Sequence, residues 1–184
     1  PAPLTIYKNL RKLEAAENLI IKNINGELVI ESSKYYEIPD FAPENDREKL
    51  IKEWKELLAD AVKIRMFSAD VPVGAFLSGG LDSSSVVAEM TKHTEKSKLH
   101  TFSVGFEWRY DETPYIDIVK NAFGTNHHHA YFTEGDFEKI LETISLHYDE
   151  PFGDYSNFPT TFVSELARRD VTVALSGDGG DEIF

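Results

Sequence analysis

The sequence predicts an α/β fold: a doubly wound, mainly parallel sheet with helices on both faces, preceded by a small N-terminal β-hairpin. From about residue 71 onward, short apolar segments alternate with amphipathic ones, which is the pattern of βαβ units. Two glycine-rich loops follow apolar segments, where open parallel sheets bind ligands. The pair Asn25-Gly26 between two apolar runs predicts the hairpin, because both residues tolerate positive φ.

Composition restricts the compartment and the partners. The 184 residues include 19 Lys and Arg against 32 Asp and Glu, a formal charge of -13. This balance argues against a nucleic-acid partner, whose phosphates are usually neutralised by basic side chains. No apolar run approaches the roughly 18 residues of a membrane span, and no basic-then-apolar leader opens the sequence, so we expect no membrane partner and a cytoplasmic location. The chain has no cysteine, which excludes disulfides, thiolate metal sites and a cysteine nucleophile within it.

The first 40 residues are predicted to be a hairpin and a linker. Strands over 18–24 and 27–31 flank the Asn25-Gly26 turn, and the two prolines in segment 38–43 interrupt both helices and sheets. We therefore expect a first unit at 1–40 and the main domain at 41–184.

Elements of the main domain follow from the period of the apolar residues. A long amphipathic helix is expected over 44–69. Its predicted buried stripe comprises Leu50, Trp54, Leu57, Leu58, Ala61, Ile64 and Arg65. After it we expect, in order, strand 71–77, helix 82–93, strand 99–105, helix 113–123, strand 127–132, helix 135–147, loop 148–157, helix 158–169 and strand 171–176.

The loop after strand 71–77 predicts a phosphate site. It reads Ser78-Gly79-Gly80-Leu81-Asp82-Ser83-Ser84 and leads directly into a helix. Glycines let the backbone approach a ligand, and the free amides of a helix N-terminus attract anions. Neither G-x-G-x-x-G nor the Walker pattern is present, so another kind of phosphate loop is indicated. The alternative is a tight turn in which Asp82 only caps the helix.

A second glycine loop predicts a metal. In Ser176-Gly177-Asp178-Gly179-Gly180-Asp181-Glu182, carboxylates alternate with glycines, a composition suited to Mg²⁺ and its bound phosphates. An acidic surface turn or helix start is the alternative. This loop, Ser78–Ser84 and Gly105-Phe106 all follow predicted strands, so they are expected to converge on one crevice.

Three further features leave alternatives open. His127 and His129 share a face of a predicted strand, which suits either a two-histidine metal site or hydrogen bonding. Segment 108–110 is predicted to be either a lid over a site or an ordinary loop before an acidic helix start at Asp111-Glu112. A polar loop faces either substrate or solvent, and it contains Asp149, Glu150, Asp154, Tyr155, Ser156 and Asn157.

Four motifs in order carry a family resemblance. SGGLDSS resembles the pyrophosphate loop of N-type ATP pyrophosphatases. Together with FSVGF at 102–106, DEPFGDYSNFPT at 149–160 and LSGDGGDE at 175–182, it is similar to the synthetase domain of glutamine-hydrolysing asparagine synthetases, over about residues 45–184. The resemblance implies that Mg·ATP adenylates the β-carboxylate of aspartate, that pyrophosphate leaves, and that ammonia attacks β-aspartyl-AMP.

The resemblance also implies roles for individual residues. Pyrophosphate and metal would be held by Ser78, Gly79, Gly80, Asp82, Ser83 and Ser84. The adenosine pocket would be lined by Leu77, Val104, Gly105, Ser176 and Gly177. Asp181 would share Mg²⁺ with Asp82, and Asp178 occupies an acidic position implicated in forming the adenylate, where some members carry glutamate. The catalytic set is therefore Asp178, Asp82 and Asp181.

The family's partners are expected to lie partly outside this chain. Residues 1–40 resemble the end of the glutaminase domain, whose N-terminal cysteine releases ammonia from glutamine, and family members continue beyond 184 with a helical part. The ligands are ATP, aspartate and ammonia, and a second copy of the chain in a homodimer is a further expected partner. Alternatives are a related amidotransferase, an adenylating enzyme like β-lactam synthetases, or a fragment that binds ATP without turnover.

Overall fold

A computed structural model describes residues 2–40, 42–106, 112–151 and 153–181. The chain divides into two compact units, Pro1–Asn45 and Asp46–Phe184. The division falls five residues after the sequence-based boundary at 40 and 41, and the interpretation of the first unit as part of a glutaminase domain stays a prediction. None of the helices that the structure describes has both the length and the apolar composition needed to cross a bilayer.

The first unit contains the predicted hairpin. Strands β1 (Glu17–Ile24) and β2 (Glu27–Lys34) pair antiparallel, with Ile21 opposite Ile30. Asn25 and Gly26 have φ values of 56° and 92°, the left-handed conformations for which this residue pair is suited. The strands run three residues beyond the predicted end at 31, because cross-strand pairing continues as far as Glu17 and Lys34.

Within the described residues, the second unit contains a parallel four-stranded sheet and five α-helices. Its elements in chain order are α1 (Arg47–Phe67), β3 (Val73–Phe76), α2 (Leu81–Met90), β4 (His100–Phe106), α3 (Thr113–Phe123), β5 (Asn126–Phe132), α4 (Glu134–His147), α5 (Asn157–Ala167) and β6 (Val173–Leu175). A short 3-10 turn at Lys96–Lys98 precedes β4. All three strand pairs are parallel, and the order across the sheet is β5-β4-β3-β6.

This order places a switch point beside β3. The chain moves outward from β3 to β4 and β5, and then returns to add β6 on the other side of β3. At such a point the loops that leave neighbouring strands diverge and open a crevice at the carboxyl edge of the sheet. The loops after β3 and β6, which carry the two glycine motifs, flank that crevice.

Helices cover both faces of the sheet, as predicted. On one face Val62 of α1, Val87 and Met90 of α2 and Ile116 of α3 pack with Ala75 and Leu77. On the other face Phe102 of β4 packs with Ala167 and Val171 at the end of α5. Each of these residues is at most 4% exposed. The two central strands are the most buried, with Ala75 and Phe102 at 0% exposure, whereas the edge strands carry partly exposed residues such as Tyr131 and Val173.

The stripe predicted for α1 is wrong in part. Leu50, Leu57 and Ile64 are 43%, 71% and 54% exposed, and Trp54 is only half-buried. The face that packs on the core is formed by Val62 with Leu58 and Met66, one turn to either side. Because α1 carries apolar residues around most of its circumference, a period of three to four fits two overlapping stripes, and sequence alone does not select the buried one.

Several element ends also differ from the prediction. The last strand was expected from residue 171, but Val171 donates its backbone N–H to the carbonyl of Ala167 at 2.9 Å and so belongs to the turn that follows α5. Helix α2 ends at Met90 rather than residue 93, since Thr91, Lys92 and His93 form turns with no continuing helix. Helix α3 matches its predicted bounds, with Gly124 in the left-handed conformation at its end.

Candidate active site at the carboxyl edge of the sheet

The loop after β3 turns sharply at Gly79. This residue has a φ of +81°, and a Cβ atom built on it would lie 2.8 Å from the backbone N of Ile116 and 2.8 Å from the Cβ of Tyr115. A side chain is therefore excluded by conformation and by the first turn of α3. The close approach holds the loop against α3 and directs the start of α2 toward the crevice.

Ser83 closes this loop from inside. Its hydroxyl lies 3.2 Å from the backbone N of Ser78, 3.0 Å from the Ser78 hydroxyl and 3.3 Å from the carbonyl of Gly80. The Ser78 hydroxyl in turn accepts the backbone N–H of Gly80 at 3.3 Å. Ser83 is 7% exposed, so these bonds are largely shielded from water. The loop is therefore held in its turn by hydrogen bonds between its own groups.

The start of α2 has unsatisfied polar groups. Its N-cap is Gly80, so no side chain caps the first turn. The hydroxyl of Ser84 is buried and has no hydrogen-bond partner within the described part of the chain. An uncapped helix N-terminus with a buried free hydroxyl fits an anionic ligand such as a phosphate.

The loop after β6 lies directly on this helix start. A Cβ atom on Gly177 would lie 2.6 Å from the backbone N of Ser83, and one on Gly180 would lie 2.4 Å from the Cγ of Asp82. Within the loop, Gly180 donates its N–H to the carbonyl of Gly177 at 3.2 Å, and Gly179 has a φ of +91°. The expected convergence of the two glycine loops is thus found in the structure. Glu182, the last acidic residue of the motif, lies outside the described residues.

The two loops border a cavity of about 970 Å³ at the carboxyl edge of the sheet. Ten of the predicted site residues line it: Leu77, Ser78, Gly80, Asp82, Ser83, Val104, Ser176, Gly177, Asp178 and Asp181. Gly79 and Ser84 lie behind the lining, in the turn and in the first turn of α2. Gly105 does not line the cavity, since its missing side chain is directed at Tyr131 and His129 of β5, both within 2.9 Å of a Cβ built there.

Several lining residues were missed by the sequence-based reasoning. Phe76 and Phe102 of β3 and β4, and Pro159, Thr160 and Val163 of α5, supply walls together with Phe106, which the sequence had already placed at this crevice. Residues of α5 reach the cavity because this helix crosses the sheet next to β4, a packing that no local pattern reveals. A signal was available for α5, because Pro159 and Thr160 belong to the DEPFGDYSNFPT motif.

Carboxylates give the cavity a negative potential. Asp82, Asp178 and Asp181 line it together with Glu112, and the Ser176 hydroxyl donates to Asp178 at 3.0 Å. Burial raises the pKa of Glu112. The sequence had placed Glu112 only at an acidic helix start, while its neighbours 108–111 lie outside the described residues. Oxygen donors of this kind suit a hard cation such as Mg²⁺, which would offset repulsion between the carboxylates and phosphates.

The polar loop before α5 reaches the cavity through two of its six residues. Asp154 and Ser156 line the cavity, and the Asp154 side chain accepts the backbone N–H of Ser156 at 2.9 Å. Tyr155 is 88% exposed, whereas Asn157 is buried at the start of α5. Phe152, in the same motif, lies outside the described residues.

His127 and His129 are hydrogen-bonded within the sheet. The Ser103 hydroxyl lies 3.0 Å from Nε2 of His127 and 2.7 Å from Nδ1 of His129, and Thr101 Oγ1 lies 2.9 Å from Nδ1 of His127. Burial lowers the pKa of His127 to about 4. The arrangement agrees with the hydrogen-bonding alternative for these histidines.

Sequence comparisons give one family. The family model described as asparagine synthase matches residues 53–184. A Methanocaldococcus jannaschii protein named "Putative asparagine synthetase (glutamine-hydrolyzing) 2" is 62% identical over the whole of this chain, which covers 35% of that relative. Asparagine synthetase (glutamine-hydrolyzing) 1 of Bacillus subtilis is 36% identical, again over the whole chain and 28% of the relative. The chain thus spans about a third of the length of these relatives.

Solved structures share the fold at low identity. A glutamine-dependent NAD⁺ synthetase from Acinetobacter baumannii, in complex with ADP, has a TM-score of 0.55 at 15% identity, over 85% of this chain and 31% of that chain. An NH3-dependent NAD synthetase from Campylobacter jejuni has a TM-score of 0.50 at 9% identity, over 72% of this chain and 58% of that one. These likenesses concern the fold alone and agree with the predicted α/β class.

Proposed function

Because the chain belongs to the asparagine synthase family, we propose that it provides the ATP-binding part of a glutamine-hydrolysing asparagine synthetase. In the proposed reaction, a β-carboxylate oxygen of aspartate attacks the α-phosphorus of ATP. The bond from that phosphorus to the bridging oxygen breaks, and pyrophosphate leaves with its electron pair. Ammonia then attacks the activated carbonyl, asparagine forms and AMP departs.

One observation carries this proposal: the loop after β6 touches the loop after β3 at the start of α2. The close approaches of Gly177 to the Ser83 amide and of Gly180 to the Asp82 carboxylate bring both motifs to one cavity. A phosphate chain at the α2 N-terminus would then meet carboxylates from both loops. Neither loop alone would distinguish a nucleotide site from an ordinary turn.

The residues fall into three proposed roles. The amides at the start of α2 and the hydroxyls of Ser78, Ser83 and Ser84 hold the pyrophosphate portion. Adenosine lies against Leu77, Val104, Ser176 and Gly177, where the apolar walls of the cavity can bury a base. Asp178 assists adenylation near the α-phosphate.

Asp82 and Asp181 would hold Mg²⁺, and both line the cavity. The cation would supply charge neutralisation on the phosphates during the displacement. The carboxylates of Asp82, Asp178, Asp181 and Glu112 repel free ATP in the absence of a cation. The proposal therefore requires ATP binding to depend on Mg²⁺. Ammonia would come from a glutaminase domain, and a cytoplasmic location and a homodimer remain part of the proposal.

Calorimetric titration of this chain with ATP, with and without Mg²⁺, tests the nucleotide site. We expect binding only with Mg²⁺, and a loss of at least about ten-fold in affinity for Asp82→Asn, since one metal ligand is weakened. Asp60→Asn on the exposed face of α1 is the matched control and should bind like the wild type. Equal affinity with and without Mg²⁺, or equal effects of the two substitutions, would refute the metal role of Asp82.

A pyrophosphate-release assay separates the proposed reaction from the alternatives. In a full-length family member that contains this sequence, pyrophosphate release that requires aspartate supports the proposed asparagine synthetase reaction. Release that requires a different carboxylic acid would favour a related amidotransferase or a β-lactam-forming enzyme. Mg·ATP binding without release under any of these conditions would favour a nucleotide-binding role without turnover.

A further inference from the structure

A second cluster of metal-binding side chains lies away from the cavity. His100 begins β4, His128 lies in β5, and Asp170 follows α5 before β6. One ligand atom from each residue lies within 4.8 Å of the others, and it is the only such group of three found among the described residues. None of the three lines the cavity.

The two histidines face each other across neighbouring strands. Nδ1 of His100 lies 2.9 Å from Nε2 of His128, and the rings are nearly coplanar, with centroids 5.1 Å apart and planes at 10°. The ring of Phe102, which is fully buried, lies 5.0 Å from that of His128 and fixes its orientation. One nitrogen of each ring thus lies beside the other within the sheet.

Asp170 is held next to His128 by the end of α5. Its backbone N–H donates to the carbonyl of Ala167 at 3.1 Å, and the flanking Val171 donates to the same carbonyl. Ala167 and Val171 are each 4% exposed and anchor this turn in the core. The Asp170 carboxylate lies 3.7 Å from Nδ1 of His128.

We propose that His100, His128 and Asp170 bind a divalent transition-metal ion, with Zn²⁺ as the reference ion. Two imidazoles and one carboxylate are a donor set suited to Zn²⁺ and its neighbours, and poorly suited to Mg²⁺. Three protein ligands leave a position for water. The side chains of His128 and Asp170 are 27% and 33% exposed, so an ion can enter from solvent.

The required rearrangement is small. Tetrahedral Zn²⁺ with bonds of about 2.0 to 2.1 Å to nitrogen needs the two nitrogens a few tenths of an ångström farther apart than their present 2.9 Å. The ion takes the position between the two nitrogens, and the proton that now lies there passes through solvent to the other nitrogen of its own ring, so that both imidazoles bind in the neutral form. The carboxylate of Asp170, whose ligand oxygen lies within 4.8 Å of both histidine ligand atoms, is the third ligand.

Calorimetric titration of untagged protein with ZnCl2 in excess Mg²⁺ tests the proposal, because Mg²⁺ occupies sites made only of oxygen ligands. We expect one Zn²⁺ per chain and a visible absorption spectrum typical of four-coordinate Co²⁺ after replacement by that ion. Affinity should fall at least about ten-fold in His100→Gln and in Asp170→Asn. His147→Gln, at the end of α4, is the control and should leave the affinity unchanged.

Asp170→Asn keeps the test decisive if substitution inside the sheet impairs folding, since Asp170 is on the surface and the asparagine preserves its shape. Circular dichroism establishes that each variant is folded. Absence of binding in excess Mg²⁺, or the same loss of affinity in His147→Gln as in Asp170→Asn, would overturn the proposal. The two histidines would then be a hydrogen-bonded cross-strand pair only.

Discussion

Gly180 lies directly on the carboxylate of Asp82. A Cβ atom at position 180 would come within 2.4 Å of the Asp82 Cγ and within 2.7 Å of both carboxylate oxygens. The loop after β6 can therefore contact the helix start after β3 only because glycine is present. This contact makes the position of the Asp82 side chain dependent on a residue almost one hundred positions later in the sequence.

Gly180→Ala should weaken Mg·ATP binding without unfolding the chain. The new methyl group displaces the Asp82 carboxylate, and displacing a metal ligand lowers affinity by at least about ten-fold. Gly153→Ala is the control, since a Cβ atom there meets nothing within 4 Å. Calorimetry measures the affinity and circular dichroism the fold. Wild-type affinity in Gly180→Ala would show that Asp82 moves freely and does not hold the metal in the observed position.

Gly79→Ala should destabilise the fold itself. A left-handed conformation costs a residue with a side chain about 1 to 2 kcal/mol, and the contact with the backbone of Ile116 adds about 1 to 3 kcal/mol of overpacking. Gly124→Ala measures the cost of the left-handed conformation alone, because Gly124 also has a positive φ, of +66°, but has open space around it. Urea unfolding of both variants gives the difference. Equal losses would mean that the loop yields to the added methyl group.

Two neighbouring serines should differ in their contribution to stability. Ser83→Ala should cost about 1 to 3 kcal/mol of unfolding free energy, because it leaves groups of Ser78 and Gly80 unpaired. Ser84→Ala should change stability by less than about 0.5 kcal/mol, since its hydroxyl has no partner in the described chain.

Ser84→Ala should nevertheless weaken Mg·ATP binding by about ten-fold, the contribution of a hydrogen bond to a charged group. Ser85→Ala is the control in the same helix turn, because the Ser85 hydroxyl donates to the carbonyl of Leu81 at 2.8 Å. Urea unfolding and calorimetry on the three variants give both quantities. A large stability loss in Ser84→Ala would show that its hydroxyl is paired within the folded chain and is not reserved for phosphate.

Much of this site could be predicted because its signals are local. The turn at Asn25-Gly26, the alternation of strands and helices and the two glycine motifs each depend on residues close together in sequence. Parallel strands then bring the ends of β3 and β6 to the same edge, which is why two distant loops could be expected to meet.

The remaining features depend on packing between elements. The buried face of α1 was chosen wrongly at Leu57 because its apolar residues surround the helix, and only the position of α2 decides which side is covered. Packing between elements also explains why Val163 of α5 lines the cavity. It likewise brings His100 close to Asp170. Such contacts follow from the order of strands and the path of a crossover, neither of which a single sequence specifies residue by residue.

The pH dependence of stability should include a contribution from His127. Burial lowers the pKa of this imidazole from 6.5 to about 4, so the folded chain favours its neutral form. The stabilisation that this provides is fully present above pH 6.5, where the unfolded chain is also neutral at this position, and is lost as pH falls toward 4.

His127→Gln removes the titrating group and keeps a polar side chain near Thr101 and Ser103. Urea unfolding of both proteins, in the presence of a chelator so that bound metal does not contribute, gives the difference in unfolding free energy at each pH. We expect this difference to be constant above pH 6.5 and to shift against the wild type as pH falls from 6.5 toward 4, because only the unfolded wild type gains a proton on its exposed imidazole, which favours unfolding. A difference independent of pH over that range would show that His127 titrates equally in both states, and that its hydrogen bonds to the two hydroxyls also accommodate the charged ring.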